Sequence, residues 1–185
     1  MKTKIAVLAA LVSAVSGAVF AVDPAVPPSG DARVVVTYVN PEKFTDFTDS
    51  IDRPERGAEH YGAALKEYLE YEAAGVIPEG SRLALSFTEI DMAGDFEPWR
   101  GPSFSDIRIV KDLYPPRINF TYKLTDASGA VLKEGEAKLR DTNFMMNISS
   151  SISNDPLRHE KAVLDGWLRS EFPKAKKQKA SESKK

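Results

Sequence analysis

Four carboxylates stand close together in the middle of the sequence and are the residues best suited to chemistry. Glu89, Asp91, Asp95 and Glu97 fall within nine residues, on either side of Gly94. If they converge, they would supply the oxygen ligands that Ca²⁺ prefers, although the spacing does not match an EF-hand loop. Two of them could instead serve as the acid and base of a hydrolase, as in glycosidases. A solvated acidic loop, with aspartates capping turns, explains the same pattern.

Aromatic residues follow these acids directly, in a segment rich in proline and glycine. Aromatic side chains in such a loop could stack on sugars or peptides, or they could close the open end of a sheet. Connections this long are uncommon without a role in binding or gating. We therefore predict that the loop from Glu89 to Phe104 is the functional surface. Its candidate binding residues are Glu89, Asp91, Asp95, Glu97, Trp99 and Arg100.

Other motifs of catalysis or metal binding do not occur in the sequence. His159-Glu160 begins like the HExxH zinc motif, but Val163 stands where the second histidine would be. The other histidine, His60, lies beside Tyr61 on a predicted helix, and no acidic residue can be assigned to orient it. There is no GxSxG nucleophile motif and no glycine-rich phosphate loop. The chain has no cysteine, which excludes disulfides, thiolate zinc sites and thiol catalysis. We predict no catalytic residue, no metal ligand and no cofactor.

The N-terminus has the pattern of a secretory signal peptide. Lys2 and Lys4 precede an almost wholly apolar or small stretch, 5–20, and Val19-Phe20-Ala21 offers a small-residue cleavage site. The apolar stretch is shorter than a membrane-spanning helix requires. We predict cleavage after Ala21, export, and no transmembrane anchor in the mature protein.

Charge is distributed unevenly along the chain. The whole sequence has a net charge of −2, but residues 22–173 alone carry −9, and the tail is rich in lysine. We predict that nucleic acid is not a partner, because the domain is acidic and exported. The overall composition, 42% hydrophobic and 28% charged, is ordinary for a soluble globular protein. The predicted organisation is a signal peptide (1–21), a flexible linker (22–32), one domain (33–173) and a disordered lysine-rich tail (174–185).

Residue periodicity predicts two helices and about five strands. The expected strands cover 33–39, 82–90, 105–110, 117–125 and 130–139, with one more short edge strand within 141–152. The expected helices run from Arg53-Pro54 to Gly75 and from Asp155-Pro156 to Pro173. Strict alternation along 82–90 would place Glu89 and Asp91 on the same face as Leu83, Leu85 and Phe87. We also expect Phe120, Tyr122 and Leu124 to pack against Trp167 and Leu168 of the last helix.

This order of elements predicts an α+β fold. We expect its mainly antiparallel sheet to carry both helices on one face. A parallel pairing of the first two strands, across the first helix, is possible.

Four segments together resemble a known but uncharacterised family. They are 36–46 (VTYVNPEKFTD), 89–94 (EIDMAG), 114–117 (YPPR) and 141–144 (DTNF). In this order they resemble a family of exported proteobacterial proteins catalogued as domain of unknown function 3016, and the likeness covers most of 33–172. The resemblance implies a periplasmic location in a Gram-negative bacterium. It implies no activity, so no functional residue is carried over.

Three functions remain open on the sequence. The favoured one is a non-catalytic periplasmic module that binds a partner protein or an envelope component such as peptidoglycan or lipid. The second is a periplasmic hydrolase that uses carboxylates of the 89–97 loop. The third is a domain stabilised by calcium in the same loop.

Overall fold

The computed structural model describes residues 32–49, 55–101, 104 and 106–173. The predicted signal peptide, nearly all of the linker and the lysine-rich tail lie outside the described residues and stay predictions. Within the described ranges, no helix is long and apolar enough to cross a membrane.

Six strands form two sheets in the described part of the chain. Their bounds are β1 Val34–Tyr38, β2 Arg82–Asp91, β3 Asp95–Phe96, β4 Arg108–Ile109, β5 Arg117–Thr125 and β6 Val131–Arg140. The main sheet has the order β1-β2-β5-β6, and β3 pairs with β4 in a separate two-stranded sheet. β1 and β2 run parallel, whereas all the other pairs are antiparallel.

Two long helices cover one face of the main sheet. α1 spans Glu55–Ala74, a short α2 spans Ile148–Ser151, and α3 spans Arg158–Glu171. The connection through α1 is long enough to let β1 and β2 run parallel. The Tyr68 hydroxyl of α1 donates to Oδ1 of Asp165 in α3 at 2.6 Å, which joins the two helices. The predicted α+β class is confirmed, with four strands in the main sheet and two outside it.

The core lies between this sheet face and the helices. Alternation along β5 turns Phe120 and Tyr122 toward the helices, and the Phe120 ring meets the Trp167 ring edge-on, with centroids 4.7 Å apart. The predicted contact between β5 and α3 is therefore confirmed. The sheet and helix residues that share this buried cluster include Val34, Val36, Leu65, Leu69, Leu83, Leu85, Phe87, Ile118, Leu124, Leu164 and Leu168.

The opposite face of the main sheet is polar. Thr37, Ser86, Thr121 and Glu136 lie opposite one another across the four strands, and each is exposed or half-buried. Thr37 Oγ1 and Ser86 Oγ are hydrogen-bonded at 2.9 Å. The two faces thus show the apolar and polar sides expected of a half-buried antiparallel sheet.

A β-bulge near the end of β2 changes which way its acidic residues point. The register with β5 shifts between Phe87 and Glu89, so Thr88 is the extra residue. A bulge inserts one residue and inverts the alternation beyond it. Ile90 is therefore buried, and Glu89 and Asp91 lie on the polar face. The prediction that they share a face with Leu83, Leu85 and Phe87 is wrong for this reason.

Two other segments differ from the predicted strands. The expected strand 105–110 is reduced to the two residues of β4, which pair with β3 rather than with the main sheet. The expected edge strand within 141–152 is instead a 3₁₀ turn at Phe144–Met146 followed by α2. There the Asn147 side chain accepts a hydrogen bond from the Ser150 amide at 3.3 Å, and this cap favours a helical turn over an extended strand.

Candidate functional site

Four charged residues form a row across one end of the main sheet. Asp46 lies beside Asp91 in a parallel bridge, Asp91 lies opposite Arg117, and Arg117 lies opposite Arg140. Residues directly opposite on neighbouring strands face the same side of the sheet, with Cβ atoms about 5 Å apart. The row therefore runs from two acids to two arginines.

A cleft of about 590 Å³ opens at this row. It is lined by Thr45, Asp46, Thr48, Asp91, Met92, Gly94, Asp95, Phe96, Pro98, Trp99, Leu113, Tyr114, Pro115, Arg117 and Arg140. Two large apolar side chains of the lining are solvent-exposed, Trp99 at 71% and Leu113 at 63%. A smaller pocket of about 270 Å³ continues onto the polar sheet face and shares Asp91, Arg117 and Arg140. Charged and apolar groups are thus presented side by side.

Arg140 is the unpaired cation of this cleft. It is exposed at the C-terminal end of β6, and within the described part of the chain its guanidinium has no hydrogen bond or ion pair. Arg117, directly opposite, donates from Nε to Asp91 Oδ2 at 2.7 Å, and its Nη2 contacts the same oxygen. One arginine of the pair is therefore neutralised and the other is not.

Asp91 is held by Arg117 at the wall of the cleft. Its side chain is 14% exposed, and burial raises the pKa of the carboxyl group, with the Arg117 guanidinium opposing that rise. A carboxyl group with a raised pKa in a cleft is a common mark of functional sites. Here the ion pair also ties β2 to β5 at their ends.

Arg108 fastens the loop before α1 to the β3–β4 sheet. Its Nη2 donates to Asp46 Oδ1 at 2.8 Å and to the Thr48 carbonyl at 2.7 Å, while Nη1 donates to Asp46 Oδ2 and the Gly94 carbonyl. The guanidinium also lies 4.6 Å from the Phe96 ring centroid. The Arg108 and Asp46 side chains are only 15% and 14% exposed. We call this group of contacts the Arg108 lock.

Glu97 is enclosed by donors from its own loop. Its Oε1 accepts hydrogen bonds from Lys111 Nζ and, at 3.1 Å, from the Tyr114 hydroxyl, and Arg100 Nε lies 2.9 Å from Oε2. The Lys111 hydrogen bond is the main cause that lowers the pKa of Glu97. The residue is 2% exposed and does not line the cleft. Glu97 therefore anchors the loop as an ionised carboxylate.

The two other acids of the predicted site, Glu89 and Asp95, accept hydrogen bonds from backbone amides. Glu89 Oε1 accepts from the Thr45 amide at 2.7 Å, and Asp95 Oδ1 accepts from the Phe96 amide at 2.7 Å. The four carboxylates consequently have four different sets of partners. No three of His, Asp and Glu in the described residues form a group that could hold a metal ion. The converging cluster that a calcium site would require is absent from these residues.

The remaining candidates separate into one cleft residue and one supporting residue. Trp99, one of the candidate binding residues, lines the cleft. Arg100, which does not line it, has its guanidinium 5.7 Å from the Phe104 ring centroid in addition to its contact with Glu97. The structure thus brings Asp91, Asp95 and Trp99 to the cleft, places Glu89 in the adjoining pocket, and leaves Glu97 and Arg100 behind it.

Sequence reasoning missed Arg117, Arg140 and Leu113. The two arginines are 23 positions apart and become neighbours only through the register of β5 and β6. Counting outward from residues 126 and 129 would set Arg117 opposite Lys138, and the register shift between Leu124 and Thr125 is part of what sets it opposite Arg140 instead. Leu113 is a single apolar residue in a loop, and no sequence pattern distinguishes it.

Neither histidine belongs to the cleft. His60 is exposed on α1, with its ring centroid 5.0 Å from that of Tyr61. His159 is 5% exposed and packs edge-on against Phe144, with centroids 4.9 Å apart. Burial lowers its pKa, and its Nδ1 has no hydrogen-bond partner in the part of the chain that the structure describes.

Glu160 is a buried acid near the Arg108 lock. It is 1% exposed, and its Oε1 accepts from the Ala93 amide at 2.7 Å. Its Oε2 has no hydrogen-bond partner among the described residues. Burial raises the pKa of Glu160, and the hydrogen bond from Ala93 opposes that rise. This carboxyl group joins the start of α3 to the turn after β2.

The chain matches a protein family and is remotely similar to a solved structure. The profile of the family described as "Protein of unknown function (DUF3016)" matches residues 32–170. No curated protein matches the sequence. Among solved structures, the chain is similar to the PelC dodecamer from Paraburkholderia phytofirmans, at 14% identity and a TM-score of 0.26, over 80% of this chain and 94% of that one. Because the family match extends over most of its length, the chain belongs to the family described as Protein of unknown function (DUF3016).

Proposed function

We propose that this protein is a periplasmic, non-catalytic binding module, and that the cleft at the end of the main sheet is its binding surface. The observation that supports this most directly is the unpaired Arg140 in a cleft of about 590 Å³ whose rim exposes Trp99 and Leu113. Ligand sites are typically concave, of 300–1,000 Å³, and mostly apolar with a few polar groups that fix orientation. The bound component would be a protein, peptidoglycan or lipid constituent of the envelope.

The roles of the carboxylates favour binding over hydrolysis. A hydrolase of the glycosidase type requires one carboxyl group that keeps a proton and one that stays ionised beside the substrate. Asp95 lines the cleft, but its Oδ1 accepts a hydrogen bond from the Phe96 amide. Glu97 is ionised but lies outside the cleft, and Asp91 is occupied by Arg117. These two residues hold β2, β5 and the following loop in place, so they shape the cleft.

Export rests on the N-terminal sequence. The lysine-flanked apolar stretch and the Val19-Phe20-Ala21 site support a periplasmic location in a Gram-negative cell. Mass spectrometry of the native protein should find Val22 at the N-terminus. A cytoplasmic protein that retains Met1 would contradict the location but not the binding surface.

Site-specific photocrosslinking tests the binding surface in the cell. A photoreactive amino acid at Leu113, in the cleft, should give discrete adducts in the periplasmic fraction. The matched control is Tyr71, which is 79% exposed on α1 and does not line the cleft. The same adducts at both positions, or none at Leu113, would contradict the proposal.

A further inference from the structure

Arg117 and Arg140 form a like-charged pair at the ends of β5 and β6. They lie directly opposite each other in the antiparallel register. Like charges in this position destabilise a sheet. Asp91 compensates the charge of Arg117, while no residue in the described ranges compensates that of Arg140. Groups that break a local rule of stability are expected at functional sites.

The charges around the cleft favour an anion with a single charge over one with two. The row of Asp46, Asp91, Arg117 and Arg140 is neutral. Arg108, paired with Asp46, is balanced by Asp95, which lines the cleft, so the local sum is zero. Arg140 can therefore attract one negative charge, and a dianion would meet more repulsion from the acids than a monoanion. The planar fork of a guanidinium matches the geometry of a carboxylate, which it can bind through two parallel hydrogen bonds.

The apolar part of the cleft indicates what the anion is attached to. Trp99 and Leu113 are the two exposed large apolar residues of the lining, and both belong to the same cleft as the arginines. Indole rings stack on flat or apolar groups, and this contact adds affinity beyond the area it buries. A ligand that carries an apolar or aromatic group beside its charge would use both halves of the cleft.

We propose that Arg140, supported by Arg117, binds the carboxylate of a small ligand whose apolar or aromatic body lies against Trp99 and Leu113. This inference deepens the proposed function and rests on it. The charge that Arg140 carries without a partner is neutralised on binding, and Arg117 keeps its ion pair with Asp91. Free carboxylates of peptides have this chemistry, and an aromatic or aliphatic C-terminal residue would present it.

A titration of the mature protein with simple probes tests the inference. N-acetyl-phenylalanine carries the carboxylate and an aromatic body, N-acetyl-phenylalanine amide lacks only the charge, and phenyl phosphate replaces the carboxylate by a dianion. NMR spectra should show the acid shifting the Arg140 guanidinium and the Trp99 indole signals in a saturable way. The Trp167 indole, which is 7% exposed in the core, serves as the internal control. We expect the amide to bind about tenfold more weakly or worse, since it loses a charge-assisted contact.

A pair of variants identifies the arginine. Arg140→Gln should weaken binding of the acid by about tenfold or more. Arg82→Gln, at an exposed arginine on the other end of the same sheet, should leave it unchanged. Equal affinity for acid and amide, tighter binding of phenyl phosphate, or no effect of Arg140→Gln would each overturn the inference. So would the absence of saturation at about 10 mM acid.

Different results would overturn the proposed binding surface and the proposed carboxylate ligand. Crosslinks at Leu113 without binding of the acid would leave the cleft as the binding surface and remove the carboxylate as its ligand. Binding of the acid without crosslinks at Leu113 would keep the carboxylate site and contradict the envelope partner.

Discussion

Two arginines at the same end of the main sheet have opposite surroundings. Arg108 donates to a carboxylate and two backbone carbonyls, stacks on Phe96 and is only 15% exposed. Arg140 is exposed and, in the described part of the chain, has no partner. The guanidinium of Arg108 is engaged by groups of the protein itself, whereas that of Arg140 is available to a ligand. A charged residue near a cleft therefore says little about function until its partners are known.

The acids of the same region divide in the same way. Glu97 is held by contacts with Lys111, Tyr114 and Arg100. Like the Arg108 lock, these contacts stabilise the loop. Asp91 faces the cleft, yet it is engaged by Arg117 and so sets the position of that arginine. In the acidic loop that first suggests chemistry, Glu97 serves the fold, and the proposed recognition group lies at the end of β6.

Truncation of a core side chain should lower the stability of the protein more than any other substitution proposed. Phe120→Ala removes a fully buried ring that packs on Trp167 and Phe87, and such truncations cost about 3–5 kcal/mol. Thermal unfolding should therefore shift by many degrees. Leu132→Ala, at a side chain 53% exposed on β6, is the control and should melt like the native protein. Similar melting curves for the two variants would refute the core assignment.

Arg108→Ala should have the next largest effect. It leaves Asp46 mostly buried without a counter-charge and strips the Thr48 and Gly94 carbonyls of a donor. Breaking an ion pair in this way costs about 3 kcal/mol, or roughly 6–12 °C for a domain of this size. Differential scanning calorimetry measures the shift, and a loss below about 1 kcal/mol would show that the lock does not hold the fold.

Part of this structure could be predicted from patterns in the sequence, and part of it could not. Alternation along 117–125 was sufficient to predict the core face of β5 and its contact with Trp167, because burial leaves a regular pattern. The bulge at Thr88 left no such pattern, since one extra residue reverses the alternation and Thr-Glu-Ile-Asp fits either register. The opposition of Arg117 and Arg140 depends on long-range register, which composition does not encode.

The division of the predicted site residues between the cleft and the structure behind it has a related cause. Acids and aromatics attract attention as chemical groups, but the sequence does not show which donors will engage them. Glu160 illustrates this most clearly, because a glutamate in the first turn of a helix usually lies at the surface and here it is 1% exposed. The turns at 144–151 escaped prediction because they are short and depend on a local cap.

Glu160→Gln should stabilise the protein at neutral pH. The folded chain raises the pKa of this group above its unfolded value of 4.5, so its contribution to stability is present below that value and is lost as pH rises through the folded pKa. Glutamine removes the ionisation and can still accept from the Ala93 amide. We expect a gain of about 1 kcal/mol or more at about pH 8, which shrinks toward zero near pH 4.

The control for this prediction is Glu67→Gln, at an exposed position on α1. Its melting temperature should follow that of the native protein across the pH range. A stability difference for Glu160→Gln that does not change with pH would show that ionisation of the buried group is not its cause.

Arg140→Ala should have the smallest effect on stability. It removes an exposed side chain without a described partner and relieves repulsion with Arg117, so the free energy of unfolding should change by less than about 0.5 kcal/mol. Denaturant titration provides the measurement. A loss of stability comparable to that of Arg108→Ala would mean that Arg140 also makes contacts that stabilise the fold.

The contrast between Arg108 and Arg140 is tested most directly by NMR of the arginine guanidinium groups in the free protein, with signals assigned through Arg108→Lys and Arg140→Lys. Bonds from both Nη atoms to fixed acceptors should hinder rotation of the Arg108 guanidinium and give it separate, slowly exchanging Nη signals. Arg140 should rotate freely and give one averaged, rapidly exchanging signal. Restricted rotation of both groups, or of Arg140 alone, would contradict the account.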